Sequence, residues 1–264
     1  MLAFVLGIAI GAVMGLTGAG GAILGVPALV FFTGLTLADA APVALTAVAL
    51  AGLVGTAEGL KRGLVRYRAA IFMGAIGIVV APLGLRLARV APERLLLCAF
   101  AAILAYVSVR MLSRPADDGT QPQDVPCHVD PRTGRLRWTA RTAAALGAIG
   151  ATAGFLTGLL GVGGGFLIVP ALRKVSDITM QGIVATSIAM ITLVSTGTVI
   201  AASLQHHPVP WSTAWPFAMG AIAGMLAGRI GASRLPPRRL QQLFGIVAAI
   251  VSVAVLWHAF RGTA

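Results

Sequence analysis

The chain has 264 residues, 58% hydrophobic and only 11% charged, with a mean hydropathy of +0.92; soluble domains carry about a quarter charged residues, so a soluble fold is excluded. The net charge of +12 suggests nucleic acid only in a soluble protein. Here the basic residues fall at the ends of apolar runs, where membrane orientation and lipid headgroups account for them and no nucleic-acid partner is implied.

The first apolar run predicts a helix over about 2 to 33. It lacks the basic start of a signal peptide, and its glycine-rich end recurs deep in the chain, so it reads as mature structure. Helices follow at about 41 to 59, 67 to 88 and 93 to 112. A polar stretch from Arg110 to Arg141, rich in proline and aspartate, then separates two halves. Further helices are predicted at about 141 to 173, 179 to 203, 213 to 232 and 237 to 260. The expected organisation is an all-α integral membrane protein, with a first transmembrane repeat at 1–112, a polar linker at 113–140 and a second repeat at 141–264. The two cysteines, Cys98 in an apolar run and Cys127 in the linker, make neither a disulfide framework nor a set of zinc ligands. Cys127, His128 and Asp130 read as a solvated loop, and no cofactor or metal is expected.

One signature is written twice: GLTGAGGAILGVPAL at 15 to 29 and GLLGVGGGFLIVPAL at 158 to 172, identical at ten of fifteen positions. The match extends further. Ala44 to Val48 aligns with Ala185 to Ala189, setting Thr46 opposite Ser187, and the stretch Arg89 to Leu95 aligns with Arg234 to Leu240. Each half therefore reads as a four-segment repeat. The first segment is too long for one span: the 31 uncharged residues at 142 to 172 would reach about 47 Å as a helix, against a hydrocarbon core of about 30 Å. Glycines in its middle predict a broken or re-entrant helix.

Charge tests this expectation. The loop after the second helix of the first half holds Lys61, Arg62, Arg66 and Arg68, whereas its counterpart near 204 to 213 has His206 and His207 but no lysine or arginine. The positive-inside rule then orients the halves oppositely, as an inverted repeat, with Arg86, Arg89 and Arg94 as the exception that faces outward.

A helix that restarts at membrane depth points unpaired N–H groups and the positive end of its dipole at whatever lies before it, which suits a small anion. The clustered glycines Gly18, Gly20, Gly21, Gly161, Gly163, Gly164 and Gly165 would expose that backbone. Thr46, Thr186 and Ser187 are candidate hydroxyl donors, though such side chains in membrane helices often bond the preceding turn. Gly11, Gly15, Gly154 and Gly158 are assigned to close helix packing. Pro27 and Pro170 are expected to kink or end the second segment of each element. Glu58 is expected to pair with Lys61 or Arg62, and Trp211 and Trp215 to anchor at the interface.

The doubled glycine signature, four hydrophobic segments per half and a polar linker resemble the TauE/SafE family of bacterial membrane proteins, the sulfite/organosulfonate exporters. The resemblance spans essentially the whole chain. It implies a permease of the bacterial cytoplasmic (inner) membrane whose partners are membrane lipid and a small anionic substrate: sulfite, a sulfonate or a related carboxylate. It also singles out Gly15, Gly18, Gly20, Gly21 and Pro27, with Gly158, Gly161, Gly163, Gly164, Gly165 and Pro170 in the second copy; Ala22 stands where that copy has Gly165. A non-transporting assembly or sensor component is the alternative. An enzyme is disfavoured, because the candidate membrane-embedded acid, thiol and imidazole groups, Glu58, Cys98 and His258, are widely separated. A homo-oligomer is compatible with the sequence.

Overall fold

A computed structural model describes residues 1–17, 23–113, 125–128, 136–204, 210–232 and 237–261. Among them run the helices α1 (Leu2–Thr17), α2 (Gly25–Thr33), α3 (Leu37–Lys61), α4 (Tyr67–Val90), α5 (Glu93–Ser113), α6 (Ala140–Leu160), α7 (Gly165–Val175), α8 (Met180–Leu204), α9 (Trp211–Ala232) and α10 (Pro237–Arg261). Four of the described helices are long and apolar enough to cross a membrane: Asp39–Lys61, Tyr67–Ala88, Ala140–Leu160 and Met180–Ser203.

Both long first segments are interrupted. α6 stops at a left-handed Gly161 whose N–H donates to the Thr157 carbonyl, and α7 starts after Gly164, also left-handed. α1 and α2 are likewise separate helices, with residues 18–22 outside the described residues. Pro27 lies in the first turn of α2, and Pro170 lies inside α7, which continues to Val175. Neither proline ends its helix: the N–H missing at Pro27 falls in the first turn and has no intrahelical partner to lose, whereas Pro170, the sixth residue of α7, forgoes one intrahelical bond and the helix still continues to Val175. α3 begins four residues before its expected start, because Thr36 caps it by accepting from the Asp39 N–H at 3.3 Å.

Glycine sets how the helices pair. Gly7 lies against Phe217 and Gly11 against Ala221, while Gly220, Gly224 and Gly228 meet Phe4, Ile8 and Ala12. The numbers rise together, so α1 and α9 run parallel. On α6, Gly150, Gly154 and Gly158 meet Met73, Gly77 and Ala81 of α4, again in parallel. A Cβ at these glycines would run into a backbone carbonyl across the interface, so glycine is what lets the helices touch. α4 also runs with α8, Gly74 meeting Leu193 and Ile78 meeting Gly197. α3 runs with α9: Ala44 and Phe217 meet at Gly25, and Gly55 meets Met225.

Two further pairs are antiparallel. Gly52, Gly55 and Gly59 of α3 meet Thr192, Ile188 and Ala185 of α8. The Ser108 hydroxyl on α5 donates to the Gly245 carbonyl, and the Ser252 hydroxyl on α10 to the Ala101 carbonyl, both at 2.8 Å. The most extensive contacts thus join helices of the first five to helices of the last five. Neither set buries its apolar faces alone.

The linker is not simply solvated. Val125 and Cys127 are buried, and the segment clips two helix ends together: Cys127 N–H donates to the Val175 carbonyl at 2.9 Å and Thr142 donates to the Pro126 carbonyl at 2.7 Å. The end of α7 therefore lies beside the start of α6.

Candidate functional site

The break between α6 and α7 is enclosed by protein. Gly161, Val162, Gly163, Gly164 and Gly165 are all buried. Gly161, Gly163 and Gly164 have φ of 70°, 70° and 62°, a region that side chains with a Cβ adopt at a cost of about 1–2 kcal/mol. This run of left-handed residues lets the chain turn back within a few residues, and α7 restarts with no side chain capping it. A buried helix start normally finds a partner for its first N–H groups. Here no side chain serves, the Leu167 N–H turning to the Gly164 carbonyl at 3.1 Å, and the start of the helix is the positive end of its dipole.

The break sits midway along α3 and α8. A Cβ on Gly163 would stand 3.0 Å from the Ile191 side chain, 3.4 Å from Val48 and 3.6 Å from the Ser195 hydroxyl. Val48 is eleven residues into α3 and Ser195 nine residues from the end of α8, or about 17 and 14 Å along helices rising about 1.5 Å per residue. The break faces the crossing of α3 and α8, the most central pair in the fold.

Of the candidates read from sequence, Gly161, Gly163, Gly164 and Gly165 come together here. Gly18, Gly20 and Gly21 lie outside the described residues. The hydroxyls are engaged elsewhere: Thr46 donates to the Pro42 carbonyl and Ser187 to the Ile183 carbonyl, each at 2.8 Å, while Thr186 accepts from the Arg66 N–H at 3.0 Å. Thr46 and Ser187 thus make the same bond to the preceding turn, as their alignment implies. Thr186 ties the start of α8 to the loop between α3 and α4.

Among the described residues every buried polar side chain is a serine or threonine. Thr157, Thr192 and Thr198 bond the carbonyl four residues back, at 2.7, 2.8 and 2.7 Å. Ser195 is different: its hydroxyl is buried and makes no hydrogen bond. Symmetry between the halves does not single it out, since the alignment that pairs Thr46 with Ser187 sets Ser195 opposite Val54. Its spacing was the available signal, two turns beyond Ser187 on the same helix face.

Other features have simpler roles. Glu58 pairs with Arg62 at the end of α3. Trp211 and Trp215 are exposed at the start of α9, as interface anchors are. An apolar cleft beside α2, lined by Val26, Pro27, Val30, Leu97, Phe100 and Val255, offers no polar group to an anion. No cluster of three or more potential metal ligands occurs among the described residues.

A sequence profile of the family described as "Sulfite exporter TauE/SafE" matches residues 3–255. A "Probable membrane transporter protein" of Xylella fastidiosa (strain 9a5c) is 31% identical over 258 residues, covering 95% of this chain and 92% of that protein. The "Probable membrane transporter protein y4hK" of Sinorhizobium fredii (strain NBRC 101917 / NGR234) is 27% identical, covering 86% and 88%. No solved structure is significantly similar.

Proposed function

Because this chain belongs to the sulfite exporter TauE/SafE family, we propose that it is a secondary transporter of small oxyanions, with sulfite and sulfonates foremost and carboxylates next. Its membership makes it a membrane transporter, a multi-pass protein of the bacterial cytoplasmic membrane; the choice of anion is our reading. One observation carries that choice: the uncapped, buried start of α7 midway along α3 and α8, faced by the Ser195 hydroxyl and apolar groups. Backbone N–H groups and a helix dipole attract negative charge without the cost of burying a cation. Discontinuous helices meeting near the midplane are a common way for transporters to hold a charged substrate.

The segments 1–112 and 141–264 are read as inverted repeats, joined by the linker at 113–140. Helix direction supports this. α3 and α8 occupy equivalent places and are antiparallel, as are α5 and α10. α6 runs with α4, which runs with α8, while α1 runs with α9, which runs with α3. α1 and α6 are therefore opposed too. The clip that holds the end of α7 beside the start of α6 supports a re-entrant hairpin, which gives each half an odd number of crossings. Charge agrees: Lys61, Arg62, Arg66, Arg110, Arg141, Arg173 and Lys174 fall on one side by these directions, and Arg86 and Arg94 on the other. In this reading transport is a rocking of one half against the other about the site.

Purified protein in liposomes is expected to take up radiolabelled sulfite under an imposed ion gradient. Absence of flux for sulfite, sulfoacetate, methanesulfonate and acetate alike would remove the oxyanion reading.

A further inference from the structure

We propose that Ser195 is a specificity-determining residue of this transporter, donating its hydroxyl hydrogen to a substrate oxygen held at the Gly163–Gly164 turn. The inference rests on the transport reading above and adds a side chain to a site otherwise made of backbone.

Three observations converge on it. Ser195 is fully buried. Its hydroxyl lacks a partner, whereas Ser187, Thr192, Thr198 and Ser203 on the same helix all bond the carbonyl four residues back, at 2.7 to 2.9 Å. That local bond is open to any serine in a helix, and a buried hydroxyl without a bond carries a desolvation penalty. The hydroxyl also lies 3.6 Å from where a Cβ on Gly163 would be, so it points to the turn that precedes α7. The uncapped N–H groups of α7 and this hydroxyl are donors from two different helices. Together they suit one ligand oxygen each on a pyramidal or tetrahedral head, such as sulfite or a sulfonate.

The arrangement is one-sided. The equivalent position in the first half is Val54, so the second half supplies the hydroxyl. Ile191 and Val48 crowd the same turn at 3.0 and 3.4 Å from that Cβ position. An anion therefore enters only as α3 and α8 part from α7, which links binding to movement between the halves.

The test compares wild type, Ser195→Ala and Ser195→Thr in proteoliposomes with radiolabelled sulfite, together with thermal unfolding in detergent with and without sodium sulfite. Ser195→Ala should raise the KM for sulfite about tenfold while the maximal rate stays within about twofold, since a hydrogen bond to a charged group contributes about 1.4 kcal/mol or more. Ser195→Thr, which keeps the hydroxyl, should retain most of the affinity. Without sulfite, Ser195→Ala should be at least as stable as wild type, because it removes an unsatisfied buried group; the stabilisation by sulfite should shrink. An unchanged KM in a wild type that transports sulfite overturns the proposal and leaves the transport reading intact. Loss of stability or of folding in Ser195→Ala also overturns it, since the hydroxyl would then be structural. A wild type that moves no oxyanion overturns both.

Discussion

At Gly163 and Gly164 the absence of a side chain serves conformation and, in the proposed site, access. Both residues are left-handed, and a Cβ on Gly164 would lie 2.7 Å from the Ala153 carbonyl. Gly164→Ala is expected to cost about 1–2 kcal/mol from backbone strain alone, read as a lower midpoint in thermal unfolding; an unchanged midpoint would mean that the turn is not held as described. Gly163→Arg should insert into the membrane yet abolish sulfite flux, because a guanidinium would fill the space and compete for the anion. The glycines were legible in the sequence because consecutive glycines repeat at a constant offset. The proposed hydroxyl partner was not, since Ser195 has no counterpart in the first half, and being unbonded is a property of packing. Thr186 shows the reverse: its place in the sequence suggested a ligand, and the fold commits its oxygen to the Arg66 N–H.

Among the helices, the two parallel pairs α1 with α9 and α4 with α6 rest on small residues spaced by four, so that backbones approach at their carbonyls. Gly154→Leu would drive a side chain into Gly77 of α4. Overpacking of this kind costs about 1–3 kcal/mol or more; the variant should lose folded protein on gel filtration, and a normal yield would contradict the packing. Helix existence and the close-packing role of Gly11, Gly154 and Gly158 could be read from spacing. Which helix each one meets could not, because apolar membrane helices are sticky on most faces and partner choice depends on long-range fit. The linker shows the limit of composition. Proline and aspartate predicted solvent, yet Cys127 is buried against the ends of α6 and α7. Burial pushes its thiol up, the Thr142 hydrogen bond offsets part of that, and the charge of Asp177 adds to the rise. Since the thiolate is the reactive form, Cys127 should resist maleimide at neutral pH in folded protein and react once denatured. Labelling at the rate of a free cysteine would show that the clip is open.

For the molecule as a whole, duplication was visible in the sequence, and charge asymmetry alone pointed to opposed halves. The directions of α3 against α8 and α5 against α10 now support the same arrangement from packing. It can be tested without reference to substrate. In a cysteine-free background, Lys61→Cys and Lys174→Cys should be reached by an impermeant maleimide only from the cytoplasmic side, and Arg94→Cys and Trp211→Cys only from the periplasmic side. Lys61 and Lys174 labelled from opposite faces would contradict the inverted reading. The central claim is that an oxyanion is held where α7 restarts. Selenite is the heavier congener of sulfite and scatters anomalously. In crystals grown with it, the account predicts an anomalous peak within hydrogen-bonding distance of the first α7 amides and of the Ser195 hydroxyl. A peak elsewhere, or none at saturating selenite in protein that transports sulfite, would contradict it.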